Sequence, residues 1–454
     1  MTSRQTKPFS GPDLFLMIIA FYSIFVYGLL AALPGSVLPT LERNLYLPSD
    51  SAVATFLLIN AIGAVLAYLV SGPIIDRFGK KFALFFGAAL VITSMAGFAL
   101  TVTNVKAAVA LWLIFSCSLV LGLGANAIVA AAHALVVDVA AAWRNAALNL
   151  LDICFGLGLA SVPLVVQRLQ QRGGLGMIFW SLGGAALILL VLVIAARFPK
   201  PMLSESFPVR EAKGLFSNPS FLLLAAALFM YVGTEVSVGK WLVTFMERDP
   251  RVLASQGLDG NQLQSLAHAS PELLSRFFEN DPAGMAVAGY ALTTLTLFAM
   301  ALLVGRLVSS FVLGILRLNS FLMIGAGSLL TTISLLIAFT ANTSGTVRLG
   351  LIAAGFGMGP IFPTSVGLAS MMMPRIAGTA MSLIMGIGFA GLLVIPPAVG
   401  YLSSAAGGPT GDVRTGLVAV MAASVVMLLL HVILAFRERP RLFVSEKTVE
   451  TNAI

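Results

Sequence analysis

The sequence predicts an all-α integral membrane protein whose twelve transmembrane helices form two six-helix bundles. Composition is the first observation behind this fold class: 58% of the 454 residues are hydrophobic and 10% are charged, whereas soluble domains carry about 25% charged residues. The second is a series of twelve apolar runs, each close to the roughly 20 residues that a helix needs to cross a bilayer. The third is an internal repeat that relates the two halves of the chain.

The twelve apolar runs are separated by polar connections that are mostly short. Runs such as 185–196 show no alternation of apolar and polar residues, which excludes a transmembrane β-barrel. The first run lacks a small-residue cleavage site and eleven more follow it, so we expect a retained helix. The predicted spans are 12–34, 51–75, 82–103, 107–137, 145–167, 176–196, 218–245, 284–314, 319–341, 346–370, 376–403 and 413–436.

The scarce polar chemistry excludes several classes of protein. Cys117 and Cys154 are the two cysteines and both lie in apolar runs, which argues against a disulfide scaffold. With three histidines and no convergent nucleophile, base or metal-ligand set, we expect no enzyme and no cofactor. The net charge of +8 does not indicate a nucleic-acid partner, because the cations are not gathered in one patch with aromatic residues.

The distribution of lysine and arginine predicts the orientation in the membrane. If the N-terminus is cytoplasmic, inner segments hold 16 of the 27 cations, outer loops hold 9, and two lie within spans. Cytoplasmic loops accumulate lysine and arginine. We therefore expect a multi-pass protein of the inner (plasma) membrane with both termini in the cytoplasm.

The two halves of the chain match at a constant offset of 233 residues. The string GLGAN at 122–126, with Gly158 after it, recurs as GFGMG at 355–359, with Gly391 after it. We infer a six-plus-six duplication. The predicted organisation is an N-terminal bundle, a cytoplasmic linker, a C-terminal bundle with an outer loop at 247–283, and a cytoplasmic tail, at 1–198, 199–217, 218–437 and 438–454.

The loop between the second and third spans carries a complete motif. Its residues Gly72, Asp76, Arg77, Gly79, Lys80 and Lys81 match the G-x-x-x-D-R-x-G-R/K-R/K signature, and the chain thereby resembles the major facilitator superfamily. The resemblance implies a monomeric secondary transporter of a small-molecule substrate in the lipid bilayer, coupled to a proton or sodium ion. It also implies that this loop is part of a gating latch against the eleventh helix. The alternative is that its cations simply anchor an inner loop.

Three short strings resemble the fucose:proton symporter branch and its sugar-transporting relatives. They are YVGTEVSVGKW at 231–241, Gly305-Arg306, and GPIFPT at 359–364. This narrower resemblance implies a sugar or sugar-like substrate. A drug or metabolite efflux antiporter of the same fold is the alternative, although the fourth span lacks the intramembrane arginine of drug antiporters. A non-transporting membrane sensor is the alternative from another class.

Few ionisable residues lie within predicted spans, where a charge is costly and usually functional, and Asp152, Arg306 and Glu235 are the ones whose position requires an explanation. At 1.5 Å per residue, Asp152 and Arg306 lie roughly 10 and 12 Å from the inner ends of their helices, and Glu235 roughly 26 Å. The equal depth of the first two favours an ion pair between Asp152 and Arg306 that closes the cytoplasmic side. The alternative is that Arg306 pairs locally and Asp152 faces a water-filled cavity.

Glu235 is the leading candidate for binding the coupling ion or the substrate, and Asp152 competes for the proton. A carboxylate beside Trp241 and hydroxyl groups suits a sugar, which offers both C–H faces and hydroxyls. The alternative is an ion pair between Glu235 and Lys240 near the outer rim, with Trp241 in the interfacial aromatic belt.

Three further polar residues lie on the first, fourth and tenth spans, which line the central cavity in this family. Tyr27, Asn126 and Thr364 are therefore candidate substrate contacts. The alternative is that they hydrogen-bond between helices, as polar side chains in membranes commonly do.

Overall fold

A computed structural model describes residues 11–140, 144–198, 217–267, 269–314, 318–372, 377–407 and 412–451. Regular secondary structure in these ranges is helical throughout. The longer helices are Gly11–Arg43, Asp50–Asn104, Ala107–Val139, Arg144–Ala195, Pro219–Arg248, Pro282–Gly314, Ser320–Thr340, Ser344–Met358, Ile361–Met372, Ala377–Ala390, Ile395–Ala405 and Val418–Thr451. Short helices are Pro250–Ser255, Gly260–Ala267, Pro271–Asn280 and Val413–Gly416.

Two of these helices are each a pair of spans joined by a tight reversal. Asp50–Asn104 contains Gly79 at φ 85° and ψ 165°, and Arg144–Ala195 contains Gly174 at φ 62° and ψ −161°. The continuous apolar stretch Leu150–Ala195 has 46 residues, which as one straight helix would measure roughly 69 Å, about twice the hydrocarbon thickness. Glycine permits the positive φ at both reversals. The 11 long apolar helical stretches therefore provide the predicted twelve spans.

Polar side chains begin several helices where the sequence changes from loop to apolar run. Asn218 accepts hydrogen bonds from the backbone N–H groups of Ser220 and Phe221, with Pro219 in the first turn. Asn319 and Thr343 cap the ninth and tenth spans in the same way. These side chains satisfy N–H groups that have no partner inside the helix.

The tenth and eleventh spans are each broken near mid-length. The tenth consists of Ser344–Met358 and Ile361–Met372, separated by Gly359 and Pro360. The eleventh contains a short 3-10 turn, Gly391–Leu393, before the helix Ile395–Ala405. Proline removes a backbone donor and disrupts the helical ladder, and such breaks in membranes are tolerated where neighbouring helices cover them.

The internal repeat is visible in the closest helix contacts. Gly158 of the fifth span packs against Gly28 of the first, and its repeat partner Gly391 of the eleventh packs against Phe229 and Gly233 of the seventh. A Cβ atom at either position would collide with the backbone of the neighbouring helix. The offset of 233 residues therefore relates two equivalent helix pairs, one in each bundle.

The two bundles meet through three pairs of helices. The first span packs on the seventh, the second on the eleventh, and the fifth on the eighth. Predicted linker residues 199–216 lie outside the described part of the chain. The twelfth span begins at Val418, and its helix continues through most of the predicted tail to Thr451.

Candidate functional site

An ion pair lies within the C-terminal bundle, between the seventh and eighth spans. Arg306 Nη2 is 3.5 Å from Glu235 Oε1, and the two side chains are 12% and 15% exposed. A charge in the membrane interior is stable when an opposite charge or polar group faces it. Glu235 and Arg306 are therefore mutual counter-charges, and their small residual exposure leaves room for a ligand or water.

A series of side chains extends from this ion pair into the N-terminal bundle. The Arg306 guanidinium lies 5.7 Å from the centre of the Phe155 ring, and Phe155 stacks on Tyr27 with ring centres 5.5 Å apart. The Tyr27 hydroxyl donates a 3.4 Å hydrogen bond to Asn126 Oδ1. We call these five residues, Glu235, Arg306, Phe155, Tyr27 and Asn126, the central polar cluster.

Two more side chains face the ion pair. Asp152 lies close enough to interact electrostatically with both Glu235 and Arg306. Tyr231, one helical turn before Glu235, is fully buried and lies beside both charges, but its hydroxyl makes no hydrogen bond of normal geometry with any described residue. An unsatisfied buried hydroxyl costs free energy, so Tyr231 offers a donor that a bound solute or water could use.

The ion pair corrects two expectations. Arg306 pairs with Glu235 and not with Asp152, which forms no ion pair within the described part of the chain. Glu235 likewise does not pair with Lys240. Depth counted along each helix puts Glu235 and Arg306 at different levels, although their side chains meet. Such a count takes no account of helix tilt or of the several ångströms that an arginine side chain reaches from its backbone.

Trp241 does not suit either role considered for it. Its side chain is fully buried, and its indole N–H donates a 3.0 Å hydrogen bond to the Pro396 carbonyl oxygen. The ring packs against Gly400 of the eleventh span. With its ring face covered and its donor used, Trp241 joins the seventh span to the eleventh, and it is neither a free sugar platform nor an interfacial aromatic.

The other predicted substrate contacts differ in their surroundings. Asn126 is buried, and its amide also donates to the Gly122 carbonyl oxygen at 2.8 Å. The Tyr27–Asn126 bond is thus a helix-to-helix contact, as the alternative interpretation held, although it adjoins Phe155. Thr364 is buried on Ile361–Met372, and no hydrogen bond of its side chain to the central polar cluster occurs among the described residues.

The signature loop between the second and third spans is held by its lysines. Lys80 forms an ion pair with Asp138 at the end of the fourth span. Lys81 Nζ donates to the carbonyl oxygens of Ile194 and Ala196, at 2.9 and 2.7 Å, where the sixth span ends. A cation is favourable at a helix C-terminus because the last carbonyls lack partners.

The rest of the signature contributes backbone geometry and an exposed cation. Gly79 supplies the positive φ of the reversal, and Arg77 is exposed with its guanidinium 5.4 Å from the Phe78 ring centre. The surroundings of Gly72 and of the Asp76 side chain lie outside the described part of the structure. Gating by this loop stays a prediction.

A second group of charges joins the bundles at the end that the cation distribution predicts to face outside. Arg43 forms an ion pair with Glu247, while Arg248 Nη2 is 3.0 Å from Glu42 Oε1 and Arg248 Nη1 is 2.9 Å from Asp50 Oδ1. These five residues are mostly buried. We call them the outer ion cluster, because they tie the first two spans to the end of the seventh.

Sequence reasoning missed several of these residues. Tyr231 carried a usable signal, because it precedes Glu235 by four residues and so shares its helix face. Glu42 and Glu247 stand beside counted loop cations at helix ends, which was a weaker signal. Phe155 carried none, since an aromatic residue in an apolar span is indistinguishable from lipid-facing or core residues.

Comparisons with known proteins agree with this architecture. A sequence profile of the Major Facilitator Superfamily matches residues 16–257 and 263–452. The chain belongs to the major facilitator superfamily. It is therefore a multi-pass membrane transporter of small solutes, as its signature loop and duplication predicted.

Individual relatives of this superfamily are distant. An uncharacterised MFS-type transporter of Yersinia pestis is 23% identical over 390 residues, covering 84% of this chain and 87% of that protein. The crystal structure of a D-xylose-proton symporter is similar with a TM-score of 0.69 at 15% identity, covering 93% and 97% of the two chains. The nucleoside transporter NupG gives 0.69 at 14% identity, covering 94% and 99%. At these identities the solved structures establish the fold alone.

Proposed function

We propose that this transporter moves a small neutral solute with several hydroxyl groups, a sugar or sugar-like compound, together with a proton. The observation that carries the proposal is the Glu235–Arg306 ion pair within a polar cluster that reaches both bundles. Substrate sites of transporters built from repeats lie near the bilayer midplane at the interface between the repeats. The central polar cluster joins side chains of both bundles within the membrane-spanning helices, which supports a substrate site there.

The chemistry of the cluster supports a hydroxylated solute. Glu235 accepts hydrogen bonds, Arg306 and Tyr231 donate them, and the ring of Phe155 offers an apolar face. A sugar has hydroxyls that donate and accept and a ring face of C–H groups. The two solved relatives are named for D-xylose and for nucleosides, solutes that share a hydroxylated five-carbon sugar.

The ion pair also supports proton coupling. When Glu235 binds a proton, it loses the charge that holds Arg306, and the guanidinium then faces Asp152 on the opposite bundle without competition. Substrate and proton together shift the balance between outward- and inward-open states, as differential binding requires. Glu235 is thus the proposed proton site, and Asp152 the second acceptor for Arg306.

Orientation and assembly complete the proposal. The excess of cations in the predicted inner loops supports an inner-membrane protein with both termini in the cytoplasm. The two bundles of one chain supply every residue of the central polar cluster, which supports a monomer as the functional unit.

Counterflow in liposomes tests the function. We expect the purified protein to exchange radiolabelled D-xylose or uridine, and an inward proton gradient to drive net uptake. Glu235→Gln should keep exchange but lose its response to the gradient, because the variant cannot bind the proton. Glu272→Gln, which removes an exposed carboxylate of the loop helix Pro271–Asn280, is the matched control and should keep the response.

Two results would contradict the proposal. Movement of a lipophilic dye with no exchange of either hydroxylated solute would favour the efflux antiporter. A full response to the proton gradient in Glu235→Gln would exclude Glu235 as the coupling group.

A further inference from the structure

An open cavity of about 550 Å³ lies at the outer end of the molecule, apart from the central polar cluster. It is bounded by the outer ends of the first, third, fifth, sixth and eighth spans and by the loop helix Pro271–Asn280. Small-molecule sites commonly have volumes of about 300–1,000 Å³. The cavity therefore has the size of a ligand site.

Side-chain amides dominate the polar lining of this cavity. It contains Gln167, Gln170, Gln171, Asn44 and Asn280, and among the described residues that line it there is neither lysine nor arginine. Glu279 is its one charged residue in that lining. An amide both donates and accepts hydrogen bonds, so this lining suits neutral hydroxyl groups and disfavours anions.

Several of the amides are available to a ligand. Hydrogen bonds within the described structure use Gln170, which donates to Thr40 Oγ1 at 3.0 Å, and Asn44, which accepts from Ser275 at 3.0 Å. The amides of Gln167, Gln171 and Asn280 make none there. The Gln167 amide lies against Gly289 of the eighth span, where a Cβ atom would be 2.7 Å from Nε2.

The cavity adjoins the outer ion cluster through one hydroxyl group. Thr40 Oγ1 accepts from Gln170 and also from Arg43 Nη2, at 3.0 and 3.1 Å. Arg43 in turn pairs with Glu247 and lies 4.5 Å from the ring centre of Phe278, which lines the cavity. A ligand among the amides would thus contact the side chains that support the bundle-joining ion pair.

We propose that this cavity is a second, outer binding site for a neutral polyhydroxylated solute, which is captured there before the bundles separate at the outer end. The class of solute rests on the proposed function. The site itself rests on the amide lining and on Thr40 and Phe278, two lining residues that contact Arg43. Bound hydroxyls would replace water at Gln167 and Gln171, which requires that they reproduce the hydrogen bonds of that water.

Protection of an introduced thiol tests the site. In a chain with Cys117→Ala and Cys154→Ala, Gln171→Cys is labelled from outside with a membrane-impermeant maleimide, with and without D-xylose or uridine. At a solute concentration of about twice its Kd, labelling should slow about threefold, since protection scales as 1 + [L]/Kd. Gln264→Cys, an exposed glutamine of the loop helix Gly260–Ala267 outside the cavity lining, is the control and should label at an unchanged rate.

A second variant separates direct binding from a distant conformational change. Adding Gln167→Met removes an amide at nearly constant size, so protection of Gln171→Cys should disappear. Protection that survives Gln167→Met, or equal protection of Gln264→Cys, would overturn the outer site. Counterflow without any protection would overturn it too and leave the proposed function intact, whereas absence of both counterflow and protection would overturn both proposals for these solutes.

Discussion

Arg306 lies between a carboxylate of its own bundle and an aromatic ring of the other. Its ion pair with Glu235 and its contact with Phe155 place one guanidinium at the boundary between two bodies that must move relative to each other. Polar contacts in the membrane are few, so the loss of any one of them changes the stability of a conformation substantially. The role of Arg306 therefore depends on the two side chains that it contacts, Glu235 and Phe155.

A double-mutant cycle on the free energy of unfolding should identify the ion-pair partner of Arg306. Arg306→Gln leaves Glu235 buried without a counter-charge, and we expect a loss of about 3 kcal/mol in the free energy of unfolding. The double variant with Glu235→Gln should recover most of that loss, because no unpaired charge remains. Reversible unfolding in mixed micelles measures both values.

The control for this cycle is Arg306→Gln combined with Asp152→Asn. That pair should show little recovery, since Asp152 forms no ion pair with Arg306. Equal recovery in both double variants would contradict the assignment of Glu235 as the partner.

Whole helices are positioned by close backbone contacts at small residues. Gly28 and Gly158 bring the first and fifth spans together, and Gly233 and Gly391 do the same for the seventh and eleventh. Helices in lipid gain little from apolar burial against one another, so close van der Waals packing holds them together. Gly158 and Gly391 are related by the offset of 233 residues, so the same kind of helix pair recurs in each half.

Alanine at Gly158 should loosen the N-terminal bundle. Its Cβ atom would overlap the Phe25 carbonyl oxygen and lie 3.0 Å from the Gly28 Cα atom, both of them backbone atoms. We expect a destabilisation of about 1–3 kcal/mol, measured by unfolding in mixed micelles. Gly184→Ala is the matched control, because nothing lies within 4 Å of a Cβ there; an equal loss in both would show that helix packing is not the cause.

At the scale of the whole molecule, the outer ion cluster ties the two bundles together. Arg248 contributes two of its ion pairs, to Glu42 and to Asp50. Asp50 also accepts a hydrogen bond from Ser403 of the eleventh span. These contacts favour the conformation in which the outer ends are joined, and they must break when the transporter opens on that side.

Neutralising Arg248 should therefore shift the protein toward an outward-open state. Its removal leaves Glu42 and Asp50 buried without their counter-charge, which costs about 3 kcal/mol in the joined state and corresponds to about a hundredfold change in the populations of the two states. We expect the buried Thr244, replaced by cysteine in the chain without native cysteines, to react about a hundredfold faster with an impermeant maleimide in Arg248→Gln.

The matched control is Arg251→Gln. Arg251 pairs with Asp249 inside the same loop and joins no bundles, so the labelling rate of Thr244→Cys should not change. An unchanged rate in Arg248→Gln as well would show that the outer ion cluster does not hold the bundles together.

The sequence by itself determined the features that depend on local composition and on repetition along the chain. Twelve apolar lengths, the cationic loop at Lys80 and Lys81, and the 233-residue offset predicted the fold and the superfamily, because the bilayer permits few arrangements of long apolar helices. It also identified Glu235 and Arg306 as charges that require an explanation.

Only the tertiary structure decided which charge faces which. Helix packing and a long side chain brought Arg306 to Glu235 instead of Asp152, and packing covered Trp241 with the eleventh span. Contacts such as Phe155 with Arg306, or Arg43 with Glu247, join residues more than 100 positions apart. These residues meet only when whole helices pack together. The packing depends on contacts throughout both bundles, so it cannot be derived from any short stretch of the sequence.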